Sequence, residues 1–587
     1  MSPQPPAAAA IEATPAVLSL AAIDGANGFR IDGYPNRDNS GIAVASAGDA
    51  NGDGIADVWV SGGDAAAVVL GRSGVFPPSL DLLGIGAEEG FRLSGLANGV
   101  PAGDVNGDGF ADFVSSDRRF DWYEGADSGV SRVVFGTATG VPRIDRGSDL
   151  DGHNGFAAYG TRHYQRTGTD VGRAGDFNGD GIDDLLIVAR PGDHYGYSSG
   201  DSYVVYGIEG ARRASLELET MPPRVGVHLL GVGSYYGAGV VTSAGDVNGD
   251  GFDDLVFGAS DAQFGDLQGE AWVVFGAARL REGPVPDRLN GNDGFRVTGF
   301  ADYSFTGNVV AGAGDLNGDG FDDIVVGTND FSDYVIFGAA SGFGGSFDVE
   351  SLDGSNGFRM HGSAAHAINR TFAGAGDFNG DGLDDLVVGV SHDRGRAGST
   401  YVVFGTDAGF PADLDITTLD GTNGLRIDGG RAGDWSGASV AAAGDVNADG
   451  FDDIVIGAPR GDASGLNSGQ SYVVFGFAGG TPRLIEGGPW RDVLRGHVGN
   501  DEFHPGGGRD RVTTGRGEDT VVFGQVAGRK DVLRITDFDP ASDHLDLDGA
   551  SVARVVHDAQ GSILVLEGAD VDRITLVGVF DTLPDLI

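Results

Sequence analysis

The chain has no cysteine in its 587 residues. That excludes disulfides as a stabiliser, thiolate metal sites and a cysteine nucleophile. It also has no apolar run of 18 residues, so no transmembrane helix is expected. Basic residues are scarce: 38 Lys and Arg stand against 86 Asp and Glu, giving a formal charge of −48. Such a chain repels nucleic acid and anionic membranes, and no basic patch offsets this. No basic residue precedes Arg30, so the opening MSPQPPAAAAIEATPAVLSLAA lacks the positive region of a Sec signal. Residues 1–24 read as a flexible Pro/Ala-rich leader.

Signs of an enzyme are equally thin. The 11 histidines are scattered, without an HExxH pair. Gly196-Tyr197-Ser198-Ser199-Gly200 matches GxSxG, but it lies in a Gly/Ser-rich stretch without the strand–turn–helix setting of a nucleophile elbow. The chain therefore reads as a binding protein, not an enzyme.

What it has in abundance is glycine, 105 residues, with neither a three-residue period nor high proline. Many tight turns between short strands account for it better than a collagen helix. Hydrophobic residues make up 40%, enough to bury cores.

Three signatures each recur seven times. The first is an Asp loop, starting at Asp49, Asp104, Asp176, Asp246, Asp315, Asp377 and Asp445. The second is a β-branched run ending in glycine, VVFG or a close variant, as from Val133, Val273 and Val473. The third is an NGFR-type strand, first at Asn27 and then at Gly90, Gly155, Gly226, Gly294, Gly357 and Gly424. Apolar runs of four to six residues flank each Asp loop, which suits strands. One unit therefore holds about four strands in roughly 65 residues, the content of one propeller blade. The series opens with an NGFR strand and ends on VVFG at Gly476. The strand from Asn27 is thus expected to complete the seventh blade and close the ring, leaving no free edge.

Each loop reads Asp-x-Asn-Gly-Asp-Gly-x-x-Asp, with Ala448 replacing the first glycine in the seventh. Side-chain oxygens at positions 1, 3, 5 and 9, with the carbonyl at 7, are the hard donors that Ca²⁺ takes on a tight turn. The first loop offers Asp49, Asn51, Asp53, the Ile55 carbonyl and Asp57; the second Asp104, Asn106, Asp108, Phe110 and Asp112. The third offers Asp176, Asn178, Asp180, Ile182 and Asp184; the fourth Asp246, Asn248, Asp250, Phe252 and Asp254. The fifth offers Asp315, Asn317, Asp319, Phe321 and Asp323; the sixth Asp377, Asn379, Asp381, Leu383 and Asp385. The seventh offers Asp445, Asn447, Asp449, Phe451 and Asp453. An EF-hand is excluded, because Val60 and Phe257 stand at position 12 and a strand follows. A plain hairpin turn needs only two of these residues, not acids at 1, 5 and 9 in every copy.

These loops, followed by apolar strands and Gly457-Ala458-Pro459, resemble the FG-GAP repeats of integrin α-subunit heads over about residues 25–480. The resemblance implies a seven-bladed β-propeller with Ca²⁺ in the hairpin between the first two strands of a blade. Here all seven copies keep the loop, as in bacterial FG-GAP proteins, and the integrin legs and membrane helix have no counterpart.

From Gly487 the pattern changes to a nine-residue period, with Asp492, Asp501, Asp510 and Asp519 each two residues before Leu494, Phe503, Val512 and Val521. This is similar to the RTX (hemolysin-type) nonapeptide, whose turns bind Ca²⁺ between coils of a parallel β-roll, here expected over 481–525. Residues 526–587 resemble the β-rich tail and uncleaved export signal of RTX proteins. The fold expected is therefore all-β: propeller, short RTX parallel β-roll, and a small β-rich C-terminal region.

On the propeller face opposite the Asp loops the resemblance puts Tyr34, Trp122, Tyr123, His163, Tyr164, His194, Tyr195, Tyr235, Tyr236, Tyr303 and Trp435. These either pack their own loops or recognise a ligand. Arg460-Gly461-Asp462 spells an adhesion tripeptide, although this composition produces about one such match by chance. The function expected is secreted or cell-surface adhesion through an extracellular protein or glycan partner, with a type I secretion apparatus as export partner. A lectin-like binder is the alternative, and a phospholipase- or other hydrolase-associated propeller the remoter one.

Overall fold

The computed structural model describes residues 16–35, 38–63, 66–93, 99–121, 127–138, 140, 149–192, 199–230, 240–260, 269–280, 283–285, 289–300, 304–329, 332–341, 343–362 and 370–477. Beyond these it describes residues 484–486, 491, 493–495, 502–506, 509–514, 520–523, 532–535, 544–547, 552–558, 561–566 and 573–577. The chain divides into two compact units, 1–378 with 383–475, and 379–382 with 476–587.

The first unit holds seven antiparallel sheets, one per repeat, and is a seven-bladed β-propeller. Blade one consists of Ala43–Gly48, Asp57–Ser61, Ala66–Val69 and Gly90–Leu93 in order. Its second and third strands are buried at every position, so both faces are covered by neighbouring blades. Continuous runs such as Asp57-Val58-Trp59-Val60 suit such strands, whereas alternation would suit a half-exposed sheet. The apolar clusters accordingly fill the space between blades. One gathers Phe177, Leu186 and Val188 of blade three with Leu255, Phe257 and Trp272 of blade four.

Ring closure is visible in the register. The first NGFR-type strand, Gly28–Asp32, pairs antiparallel with Gln470–Val474, from Gly28 opposite Val474 to Asp32 opposite Gln470. Just upstream, Val17–Ser19 pairs parallel with the outermost strand of blade six, and Leu20 is buried. The leader expected over residues 1–24 is thus shorter than its reading, because residues 17–22 already belong to the ring.

The same device recurs around the molecule. Six of the seven sheets carry a fifth, parallel strand: in five it is taken from the next blade's connection between its third and fourth strands, and in blade six it is Val17–Ser19. Ser79–Asp81 of blade one adds to blade seven, and Ser346–Asp348 of blade five to blade four. The long repeat period is therefore occupied by strand exchange between neighbours.

In the second unit, successive strands from Leu484–Glu486 to His544–Asp546 alternate between two sheets of parallel strands, in nine-residue steps as far as Thr520–Val522. Leu484–Glu486, Glu502–His504, Thr520–Val522 and His544–Asp546 form one. Val493–Arg495, Arg509–Thr513, Val532–Ile535 and Arg573–Val577 form the other, extended by an antiparallel pair. Leu494, Phe503, Val512 and Val521, the apolar members of the nonapeptides, all lie in its core.

Candidate metal centres and the opposite face

In every blade the Asp loop joins the first strand to the second. The ladder shifts register just before the glycine that ends the first strand, for example between Ser46 and Gly48, and between Arg173 and Gly175. This bulge releases the chain from the sheet so that the loop can curl. Position 6 needs glycine for its backbone alone: Gly54 and Gly181 have φ of +85° and +87°, with open space where a Cβ would stand.

The acids at position 9 begin the second strands. Asp57, Asp112, Asp184, Asp254, Asp323, Asp385 and Asp453 are all fully buried. In blade two, Asp112 accepts N–H bonds from Val105 in its own loop and from Gly136 at the end of the third strand, both at 2.9 Å. Asp57 does the same with Ala50 and Gly71, and Asp254 with Val247 and Gly276. Position 9 thus ties the Asp loop to the VVFG motif. Burial pushes Asp57 up to about 7 and Asp112 and Asp184 up to about 8, and the acids at positions 1 and 5 raise them further against those N–H bonds. Asp254 and Asp323 are raised well above the usual range for the same reason.

At position 1, Asp49 accepts three backbone N–H bonds, from Gly52, Asp53 and Gly54 at 2.6, 3.0 and 2.8 Å. Asn51 Oδ1 accepts from the Asp53 N–H and its amide donates to the Asp53 carboxylate. Asp246, Asn248 and Asp250 repeat this arrangement, as do Asp315, Asn317 and Asp319. The third loop differs, for Asn178 turns its amide to Asp184. Among the described residues no three His, Cys, Asp or Glu side chains are gathered in a metal-holding group. The donor set nevertheless suits a hard cation: the acids at positions 1 and 5 lie close enough to raise the buried acid at position 9, against the N–H groups it accepts.

Two roles escaped the sequence reading. Position 7, expected to act through its carbonyl, uses its side chain to cover the preceding blade's loop. A Cβ on Gly52 would lie 2.4 Å from the Phe110 ring, and one on Gly249 2.2 Å from the Phe321 ring. Position 8 links the loops around the ring. The N–H groups of Asp104, Asp176, Asp246, Asp315 and Asp377 donate to Asp183, Asp253, Asp322, Asp384 and Asp452 of the next blade, at 2.7–3.0 Å. Ala56 and Ala111 hold this position in blades one and two, so two junctions lack the carboxylate. The signal was present in the sequence, as FDD, IDD or LDD against IAD and FAD.

Asp492, Asp501 and Asp519 lie outside the described residues. Asp510, expected in a turn, is buried within the strand Arg509–Thr513.

The second-to-third-strand hairpins and the entry loops lie at the other end of the blades. Tyr34, expected there as an exposed aromatic, is a core residue instead, buried with Arg92 stacked 4.9 Å over its ring. His163 and Tyr164 are exposed, with Tyr164 at φ +58°. Trp435 is half-buried, its ring 3.4 Å from the Arg460 guanidinium and 4.9 Å from His392. Within Arg460-Gly461-Asp462 the guanidinium is therefore stacked, and Asp462 accepts the Asn467 N–H at 2.7 Å. Trp122, Tyr123, His194, Tyr195, Tyr235, Tyr236 and Tyr303 lie outside the described residues, as do Gly196–Ser198. Ser199 and Gly200 open the third strand of blade three.

Comparison with known proteins agrees with this architecture. The FG-GAP repeat family matches residues 238–274, 369–403 and 436–474, which span the first three strands of blades four, six and seven. Integrin alpha-5 of Xenopus laevis is 31% identical over 210 residues, 34% of this chain and 17% of that protein. Integrin alpha pat-2 of Caenorhabditis elegans is 28% identical over 246 residues, 40% of this chain and 18% of that protein. Phosphatidylinositol-glycan-specific phospholipase D of Mus musculus is 35% identical over 126 residues, 19% of this chain and 14% of that protein. The chain thus spans under a fifth of the length of these relatives. No described helix is long and apolar enough to cross a membrane.

Proposed function

We propose that the chain is a secreted calcium-binding recognition protein, in which Ca²⁺ fastens the Asp loops and the opposite face binds an extracellular protein or glycan. The carrying observation is the division of labour between the ends of the blades. At one end seven near-identical acid loops are joined by carboxylate bridges at five junctions, an arrangement suited to holding the ring. At the other end the loops differ from blade to blade and present His163, Tyr164 and the Trp435–Arg460 stack. Residues at positions 1, 3, 5 and 9 with the position-7 carbonyl hold the ion, which supplies the positive charge that the clustered acids lack.

FG-GAP repeats and the integrin relatives support adhesion over catalysis. The likeness to a phospholipase D supports a hydrolase-associated propeller only as a second reading. For the C-terminal unit we propose an RTX-type β-roll and tail read by a type I secretion apparatus, supported by the alternation of nonapeptides between two parallel sheets. Extracellular and matrix extracts passed over the immobilised chain, in calcium and in chelator, test the reading. Retention of a partner in calcium alone is expected, and no retention in either condition refutes it.

A further inference from the structure

We infer that a cavity at the outer rim of blade seven is a binding site for a neutral saccharide. The inference deepens the reading of this face as the recognition surface and rests on it. The cavity measures about 420 Å³ and is bounded by the N-terminal clasp and by Arg30, Arg431, Asp434, Asp462, Gln470 and Tyr472. That volume suits a small ligand, within the ~300–1,000 Å³ usual for such sites.

The unusual member is Asp434. It is 6% exposed, and among the described residues its carboxyl makes no hydrogen bond or ion pair. The carboxyl opens on the cavity, where a ligand hydroxyl can complete its bonding. Its position is fixed by its loop. The Asp434 N–H donates to the Arg431 carbonyl, and its own carbonyl accepts from the Arg460 N–H at 3.1 Å. The neighbouring Gly433 and Trp435 N–H groups both donate to the Arg396 carbonyl of blade six. Trp435 sits at φ +60°, a conformation few side chains adopt, and the stacked Arg460 holds it there. The loop is thus pinned on both sides of a carboxyl that lines the cavity.

The opposite wall is a chain of donors and acceptors. Tyr472 Oη donates to Gln470 Oε1 at 3.4 Å, Gln470 Nε2 donates to Asp32 at 3.3 Å, and Asp32 takes the Arg30 guanidinium at 2.6 and 2.9 Å. Charge decides the ligand class. A cation entering here meets Arg30 and Arg431, and an anion meets Asp434 and Asp462. A neutral polyol avoids both penalties, offers hydroxyl donors to Asp434, and lays C–H surface on Leu20 and Pro78.

The test is calorimetric titration of the full-length chain in calcium with methyl α-mannopyranoside, methyl β-galactopyranoside, methyl β-glucopyranoside, N-acetylglucosamine and cellobiose. Arginine amide and inorganic phosphate serve as charged probes. At least one saccharide is expected to bind at one site per chain, with Asp434→Asn and Asp462→Asn each weakening it tenfold or more. No saccharide binding, binding of a charged probe in its place, or affinity unchanged in both variants overturns the assignment. If saccharides fail while the chain still retains an extract partner, the cavity is misassigned and the recognition face stands. If both fail, the reading of the face falls with it.

Discussion

The Asp253 carboxylate of blade four accepts the backbone N–H of Asp176 in blade three at 2.7 Å, and the Asp253 N–H returns to the Asp176 carbonyl at 3.1 Å. Five of the seven Asp loops are clamped in this way, each by the residue beside the next blade's position-9 acid. Replacing Asp253 with alanine leaves the Asp176 N–H without its acceptor. A loss of roughly 1–3 kcal/mol is expected in denaturant titration, and a loss near zero would show that the bridge is incidental.

Blades one and two supply the converse test. Ala111 N–H already reaches the Asp49 carbonyl at 3.3 Å, but no carboxylate answers the Asp49 N–H. Ala111→Asp is expected to stabilise the calcium-treated chain by about 1 kcal/mol. A lower denaturation midpoint in calcium would count against the bridging role.

The glycine before each loop allows the bridge to form. At Gly103 (φ +80°) an added Cβ would lie 2.2 Å from Asp183 Oδ2, whereas at Gly48 (φ +65°) the nearest atom is the Ala111 Cβ at 3.3 Å. Both alanine variants incur the left-handed backbone cost of about 1 kcal/mol, and Gly103→Ala adds the clash. Thermal melts should rank Gly103→Ala well below Gly48→Ala, and equal melts would remove the steric argument.

Calcium removal should be felt by the whole first unit, since position 9 anchors both the loop and the third strand. Scanning calorimetry with chelator is expected to lower the melting temperature by roughly 10 °C or more. An unchanged transition would rule out structural metal in these loops.

Asp434 gives a pH signature. Burial pushes its carboxyl up to about 6, with Arg431 opposing and Asp462 adding to the shift. The unfolded group titrates near ~3.9, so the folded state binds the proton more tightly between these values. Its contribution is favourable below pH ~4 and is lost as pH rises through about 6. Asp434→Asn is therefore expected to stabilise the chain relative to wild type increasingly from pH 4 to 6, by on the order of 1 kcal/mol at the plateau. Parallel stability profiles in the two proteins would contradict this.

Much of the propeller was legible because repetition exposes it. Three motifs recurring seven times imply seven equal sheets, and the absence of an NGFR strand after Gly476 points to Asn27 as its supplier. What stayed hidden depends on neighbours in space. No spacing shows that Asp112 bonds to Gly136, 24 residues on. Nor does any reveal that the connections carry a strand for the previous sheet. Tyr34 misled because an aromatic in a loop looks exposed until the Arg92 guanidinium is seen lying over it.

The pairing of Gly28–Asp32 with Gln470–Val474 sets a timetable for folding. Asp32 and Gln470 stand 438 residues apart, so the last sheet cannot assemble until nearly the whole repeat array is available. Until then one edge of the array waits unpaired, and so long-range a closure is slow and open to mispairing with other chains. If the ion sites fill only outside the cell, the delay becomes useful. On the proposed reading, an unfilled array would stay open at that edge, and cation binding to its loops would favour the closure that completes the circle.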